Sequence, residues 1–118
     1  MDAGFVLMDT PHPSYPPLDL AAAGAAVLTN SHGLKQDLSQ YSDNISVVPP
    51  TLPRLRAGLA ALARAACDEK ARTEAVRNDG ICRDWHEALD PAVTRIANHF
   101  GGERATVRLA DAPQRKAA

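Results

Sequence analysis

Four prolines, Pro11, Pro13, Pro16 and Pro17, fall within seven residues, and nothing else in the sequence restricts the fold as strongly. Each proline fixes its own φ, lacks an amide donor and pushes its predecessor out of the helical region. Residues 9–17 are therefore a loop. Pro17, at its end, suits the first turn of a helix, where no amide proton is needed. Upstream, Gly4-Phe5-Val6-Leu7-Met8 is a short apolar run that reads as a buried strand. Downstream, a helix over residues 18–23 stops at Gly24, a residue suited to the position after a helix C-cap.

The same alternation continues. Ala25-Ala26-Val27-Leu28-Thr29 is a second strand, Asn30-Ser31-His32-Gly33 a turn, residues 34–40 a short helix, and Ile45-Ser46-Val47-Val48 a third strand closed by Pro49-Pro50. Strand, helix, strand, short helix, strand is the pattern of an α/β parallel sheet. Helices follow. Thr51 is the expected N-cap of an amphipathic helix whose apolar stripe is Leu52, Leu55, Leu59, Leu62 and Ala66. A second helix spans residues 68–78 and ends by Gly80. A third begins at Asp84, which with Glu87 resembles a capping box, and places Trp85, Leu89, Val93, Ile96 and Phe100 on one face. Pro91 predicts a kink, or a restart with Asp90 as cap. Gly101-Gly102 ends that segment. The expected organisation is one domain over residues 1–100 and a flexible polar tail over 101–118.

Length and charge exclude several classes. A chain of 118 residues holds one domain, not two with a cleft between them. A net charge of −1 exerts no global pull on nucleic acid or membranes. Residues 1–50 hold five acids against Lys35 alone, whereas residues 51–118 hold twelve basic and nine acidic side chains, interleaved as on a solvated helical surface. Cys67 and Cys82 form no CxxC and have no partner at zinc spacing, so two free buried thiols in a reducing cytoplasm are expected. No basic region precedes an apolar run at the N-terminus, and no apolar stretch approaches the ~20 residues of a membrane span. The expected location is cytoplasmic, with no transmembrane segment.

The stretch from His12 to Asn30 holds the chemistry. A loop leaves the carboxyl end of a strand and enters a helix, the edge at which open parallel sheets bind ligands, and the helix N-terminus offers amides to a phosphate. On this reading Asp19 lies in the first helical turn and can accept from ribose hydroxyls, and His12 can donate to a phosphate or sugar oxygen. Both have plainer readings: an acid there favours the helix dipole, and a histidine between prolines is ordinarily a solvated loop residue. Asn30 and His32 follow the second strand at the same edge, where turn chemistry explains them equally well. Asp9 and Thr10 suit a turn or capping role, Trp85 a packing anchor, and His86 and His99 the helix surface. Neither cysteine has an activating neighbour pattern.

The run MDTPHPSYPPLDLAAAGAAVLTNSHGLKQDLSQYSDNISVVPPT resembles the C-terminal domain of WsaF-like rhamnosyltransferases, GT-B glycosyltransferases of the rhamnan-synthesis type. In that family a pattern close to SPHPSYPPLEMAASG precedes a strand reading VVTN. Here the match is Pro11-His12-Pro13-Ser14-Tyr15-Pro16-Pro17-Leu18-Asp19, then Ala22-Ala23-Gly24, then Val27-Leu28-Thr29-Asn30; Arg83-Asp84-Trp85 with Leu89 resembles the family's terminal tryptophan segment. The resemblance implies a partial Rossmann-like fold, the C-terminal half-domain of a GT-B enzyme. It also implies a nucleotide-sugar ligand, above all a dTDP-sugar, and a glycan acceptor in the full enzyme, in surface polysaccharide synthesis.

Related enzymes carry two acids eight positions apart, the second on ribose. Asp19 matches the second; the first falls at Pro11, with His12 the nearest polar substitute. The candidate nucleotide-sugar-binding residues are His12, Ser14, Tyr15, Asp19 and Asn30, with no catalytic residue, metal or cofactor assigned. The resemblance covers only the later part of a donor domain, so the isolated chain is expected to be inactive and to self-associate through an exposed sheet edge. The alternative is a non-catalytic truncated remnant, or an interaction module that docks onto a separate N-terminal glycosyltransferase chain.

Overall fold

A computed structural model describes residues 1–100, so the tail expected over 101–118 and the Gly101-Gly102 stop lie outside the described residues. The chain divides into two units, Met1–Ile81 and one that begins at Cys82. The first holds β1 (Ala3–Val6), α1 (Tyr15–Ala22), β2 (Ala26–Asn30), β3 (Ile45–Val48), α2 (Leu52–Ala66) and α3 (Glu69–Arg77). The second holds α4 (Trp85–His99).

The three strands form one parallel sheet in the order β1-β2-β3, with Phe5 beside Leu28 and Val27 beside Ile45. The fold is thus α/β with a partial Rossmann-like sheet. Every residue of β2 is buried, because helices cover both faces. On one face Val27 and Ile45 pack with Ala21 of α1, Ala25 and Leu38. On the other lies Leu28, where α2 comes so close at Gly58 that a Cβ there would stand 2.9 Å from a Leu28 methyl. Burial on both sides is why β2 opens on a continuous apolar run, Ala26-Val27-Leu28, rather than an alternating one. Fully burying Val27 and Leu28 contributes about 1.5–3 kcal/mol each.

Local signals act where expected at the end of α1. Ala25 N–H donates to Leu20 C=O (3.0 Å) and Gly24 N–H to Ala21 C=O (2.9 Å), the paired bonds of a Schellman motif around Gly24. Asp68 caps α3 by accepting from Ala71 N–H, and Asp84 caps α4 by accepting from His86 N–H. Arg72 of α3 fastens the amino-terminal edge of the sheet, donating to Gly24 C=O (2.9 Å) and to the Asp2 carboxylate (3.0 Å).

Several expectations are corrected. The run Gly4–Met8, expected as a buried strand, is an edge strand over Ala3–Val6 with Phe5 exposed, because β1 pairs on one side only, and Trp85, expected as a packing anchor, is exposed. No helix forms over residues 34–40. His32 and Lys35 pair as a tight antiparallel bridge instead, and the Asp37 carboxylate accepts from the Ser39 amide and hydroxyl, local bonds that compete with a helix. Helix α1 begins at Tyr15, ahead of Pro17, so Asp19 is its fifth residue and the first turn holds no acid. Helix α4 runs unbroken through Pro91 with no restart at Asp90. Cys67 and Cys82 are free but exposed rather than buried; Cys67 lies just past the last turn of α2, beyond the stripe that meets the sheet.

Candidate functional site

The strands end side by side at Val6, Asn30 and Val48, and the loops that leave β1 and β2 are tied together at that edge. The Asn30 side-chain oxygen accepts from Met8 N–H (2.7 Å), and its nitrogen donates to Met8 C=O (2.9 Å) and Ser31 C=O (3.1 Å). One amide thus continues the β1–β2 pairing after β1 has left the ladder. His32 Nδ1 meets the Asp9 carboxylate at 3.0 Å. At Gly33, φ is +53° and a Cβ would lie 3.3 Å from Pro11 Cβ, so both the backbone conformation and the close approach favour glycine.

The proline loop is strained where it enters α1. Ser14 has φ 69° and ψ 150°, a region almost reserved for glycine and costing a non-glycine residue about 1–3 kcal/mol. Its side chain does not cap α1. It turns back into the loop, with Oγ 3.1 Å from Thr10 Oγ1 and 3.3 Å from His12 Nδ1. The four amides without an intrahelical acceptor belong to residues 14–17, and two of those residues are proline. The positive end of α1 therefore offers two N–H donors, those of Ser14 and Tyr15.

This junction brings His12, Ser14 and Tyr15 together. His12 and Tyr15 are exposed, whereas Ser14 is only 9% exposed. Asp19 lies about 7 Å further along the helix axis, exposed and with no ion-pair or hydrogen-bond partner for its carboxylate among the described residues. The helix dipole acts within the first turn, so it does not account for Asp19. The Asn30 amide is committed to Met8 and Ser31, which makes Asn30 the residue that positions the loop.

Sequence reasoning singled out neither the Thr10 link nor Lys35. Lys35 is 2% exposed, and its Nζ has no hydrogen-bond partner. Burial holds its pKa below the ordinary lysine value. The one available signal was that it is the only lysine or arginine in residues 1–50.

A cavity of about 530 Å³ lies elsewhere, between α2, α3 and the amino-terminal end of β2, lined by Ala26, Asn44, Gly58, Leu62, Arg72 and Ala75 among others. None of the proline-loop residues borders it. Among the described residues no group of three His, Cys, Asp or Glu is placed to hold a metal ion, and no helix is long and apolar enough to cross a membrane.

Residues 1–60 match the family model described as WsaF, C-terminal domain. The match takes in β1, the proline loop, α1, β2 and β3 and runs into α2; the Arg83-Asp84-Trp85 segment lies beyond it. No curated protein and no solved structure matches the chain.

Proposed function

The chain belongs to the WsaF C-terminal domain family, a family of glycosyltransferase-related domains, and from that premise we propose that the carboxyl edge of its sheet holds the nucleotide part of a sugar donor. The donor is a nucleotide-sugar, dTDP-linked in the first instance, used in cytoplasmic assembly of a rhamnan-type polysaccharide by a GT-B enzyme. The observation that carries this reading is the junction at Ser14, where a strained, uncapped turn leaves two amides at the positive end of α1. Those amides and His12 suit a phosphate, and Asp19, further along the helix, suits a ribose hydroxyl. Asn30 keeps the loop in register at the same edge and stands with these residues in the candidate binding set.

The test is nucleotide affinity in Asp19→Asn. A hydrogen bond to a charged group contributes about 1.5–3 kcal/mol, so UDP affinity should fall roughly tenfold or more. The loss should be smaller with dTDP, whose deoxyribose offers only the 3′-hydroxyl. Unchanged calorimetric affinity in a folded variant would make Asp19 an ordinary surface acid.

A second reading has its own support. Strand β1 is an edge strand with Phe5 exposed, and Leu7 just beyond it is exposed as well. Such an edge suits docking onto a separate glycosyltransferase polypeptide.

A further inference from the structure

We propose that Lys35 is the fixed countercharge of a diphosphate bound at the carboxyl edge of the sheet, a role that rests on the nucleotide reading above. An ammonium group removed from water without a partner is costly. Lys35 is nearly fully buried, its Nζ makes no hydrogen bond, and among the described residues no carboxylate stands within ion-pair distance of it. A buried charge of this kind calls for an anion, and none stands beside it among the described residues.

The backbone sets where that charge sits. His32 N–H donates to Lys35 C=O (3.0 Å), and Lys35 N–H donates to His32 C=O (2.9 Å). Residues paired in this way project their side chains from the same face of the ribbon. The His32 side chain reaches Asp9 in the proline loop, so Lys35 leaves the turn on the side of that loop. A second orphaned polar atom, Thr29 Oγ1, lies on the strand that leads into this turn.

Charge composition narrows the ligand. Residues 1–50 hold no other lysine or arginine, so an anion at this edge meets one formal cation from the α/β part and the two amides of Ser14 and Tyr15. One phosphate suits the amides and a second, linked to it, suits the ammonium. The shared chemistry is a diphosphate, from a nucleotide-sugar or as free pyrophosphate.

Inorganic pyrophosphate, UDP, dTDP and uridine are titrated by calorimetry into the full chain and into Lys35→Met. The ¹⁵Nζ resonance of Lys35 in the wild type is followed in parallel, which keeps the test decisive should the variant not fold. The expected result is a tenfold or greater loss of pyrophosphate, UDP and dTDP affinity in Lys35→Met, unchanged uridine affinity, and a ¹⁵Nζ shift on adding pyrophosphate. Equal diphosphate affinities in the two proteins, with no ¹⁵Nζ shift, would overturn the role of Lys35 and leave the nucleotide reading standing. Lys35-dependent binding of pyrophosphate, with UDP and dTDP bound no more tightly, would uphold the countercharge and remove the nucleotide. Absence of binding by every probe would overturn both.

Discussion

The side-chain amide of Asn30 is hydrogen-bonded to both backbone groups of Met8, accepting from its N–H at 2.7 Å and donating to its C=O at 2.9 Å. Strand β1 ends at Val6, so this pair, not the ladder, sets the exit angle of the proline loop. Asn30→Ala would leave Met8 without its partners at a part-buried position, a loss of about 1–3 kcal/mol. Urea unfolding measures that loss. Amide exchange at Met8 should accelerate more than exchange within β2, and equal acceleration throughout would mean that Asn30 supports the sheet as a whole.

Ser14 separates strain from bonding. Ser14→Ala keeps the unfavourable φ and loses the hydroxyl contact with Thr10, whereas Ser14→Gly loses the same contact and relieves the strain. Glycine recovers up to about 1–3 kcal/mol, less the roughly 0.5–1 kcal/mol it loses in unfolded-chain entropy. The glycine variant should therefore be the more stable of the two by about 1 kcal/mol in chemical denaturation. The reverse order would show that the loop relaxes to another conformation when the hydroxyl is removed.

Lys35 links stability to pH with a definite sign. Its folded-state pKa is lowered by burial from the ordinary 10.5. The folded state therefore binds fewer protons than the unfolded state between the two values, and stability rises with pH across that window. The destabilising charge is fully present below the folded value and gone above the unfolded one. Lys35→Met should be more stable than the wild type at pH 7, and the gap should narrow as pH approaches 10. Unfolding curves of both proteins at pH 7 and near pH 10 check this, since their difference cancels the other titrating groups. A constant gap would mean that the ammonium is solvated.

Exposed apolar side chains on both units are expected to make the isolated chain self-associate. Helix α4 is amphipathic, yet its apolar stripe is open to solvent, with Trp85 68% and Phe100 78% exposed. Sedimentation velocity should show concentration-dependent association, weakened by Trp85→Gln with Ile96→Gln on α4 or by Phe5→Lys on the β1 edge. Which substitution acts identifies the surface, and a clean monomer at high concentration would exclude both.

Much of this architecture is legible locally. The prolines confine residues 9–14 to a loop, Gly24 ends α1, and Asp68 and Asp84 start their helices, because backbone sterics and capping depend on a few neighbouring residues. Residues 34–40 mislead because their pattern suits a short helix, while Asp37 and Ser39 offer the backbone a local alternative. The burial of Lys35 has no local signal, since a lysine's environment is set by whatever folds over it.

The sequence by itself determined the three strands and the helices α1 to α4 along the chain, though not the segment over residues 34–40, together with the proline loop between β1 and α1 and membership of the family through that loop, since each depends on residues close together along the chain. Only the tertiary structure decided that Asn30 holds Met8, that Ser14 is strained, that Asp19 lies past the first turn of α1, and that Lys35 is buried without a partner. The clamp from Asn30 to Met8 spans 22 positions and that from Arg72 to Asp2 spans 70. Contacts of that kind arise only when the sheet and its two covering layers close, because packing brings those groups together and chain proximity does not.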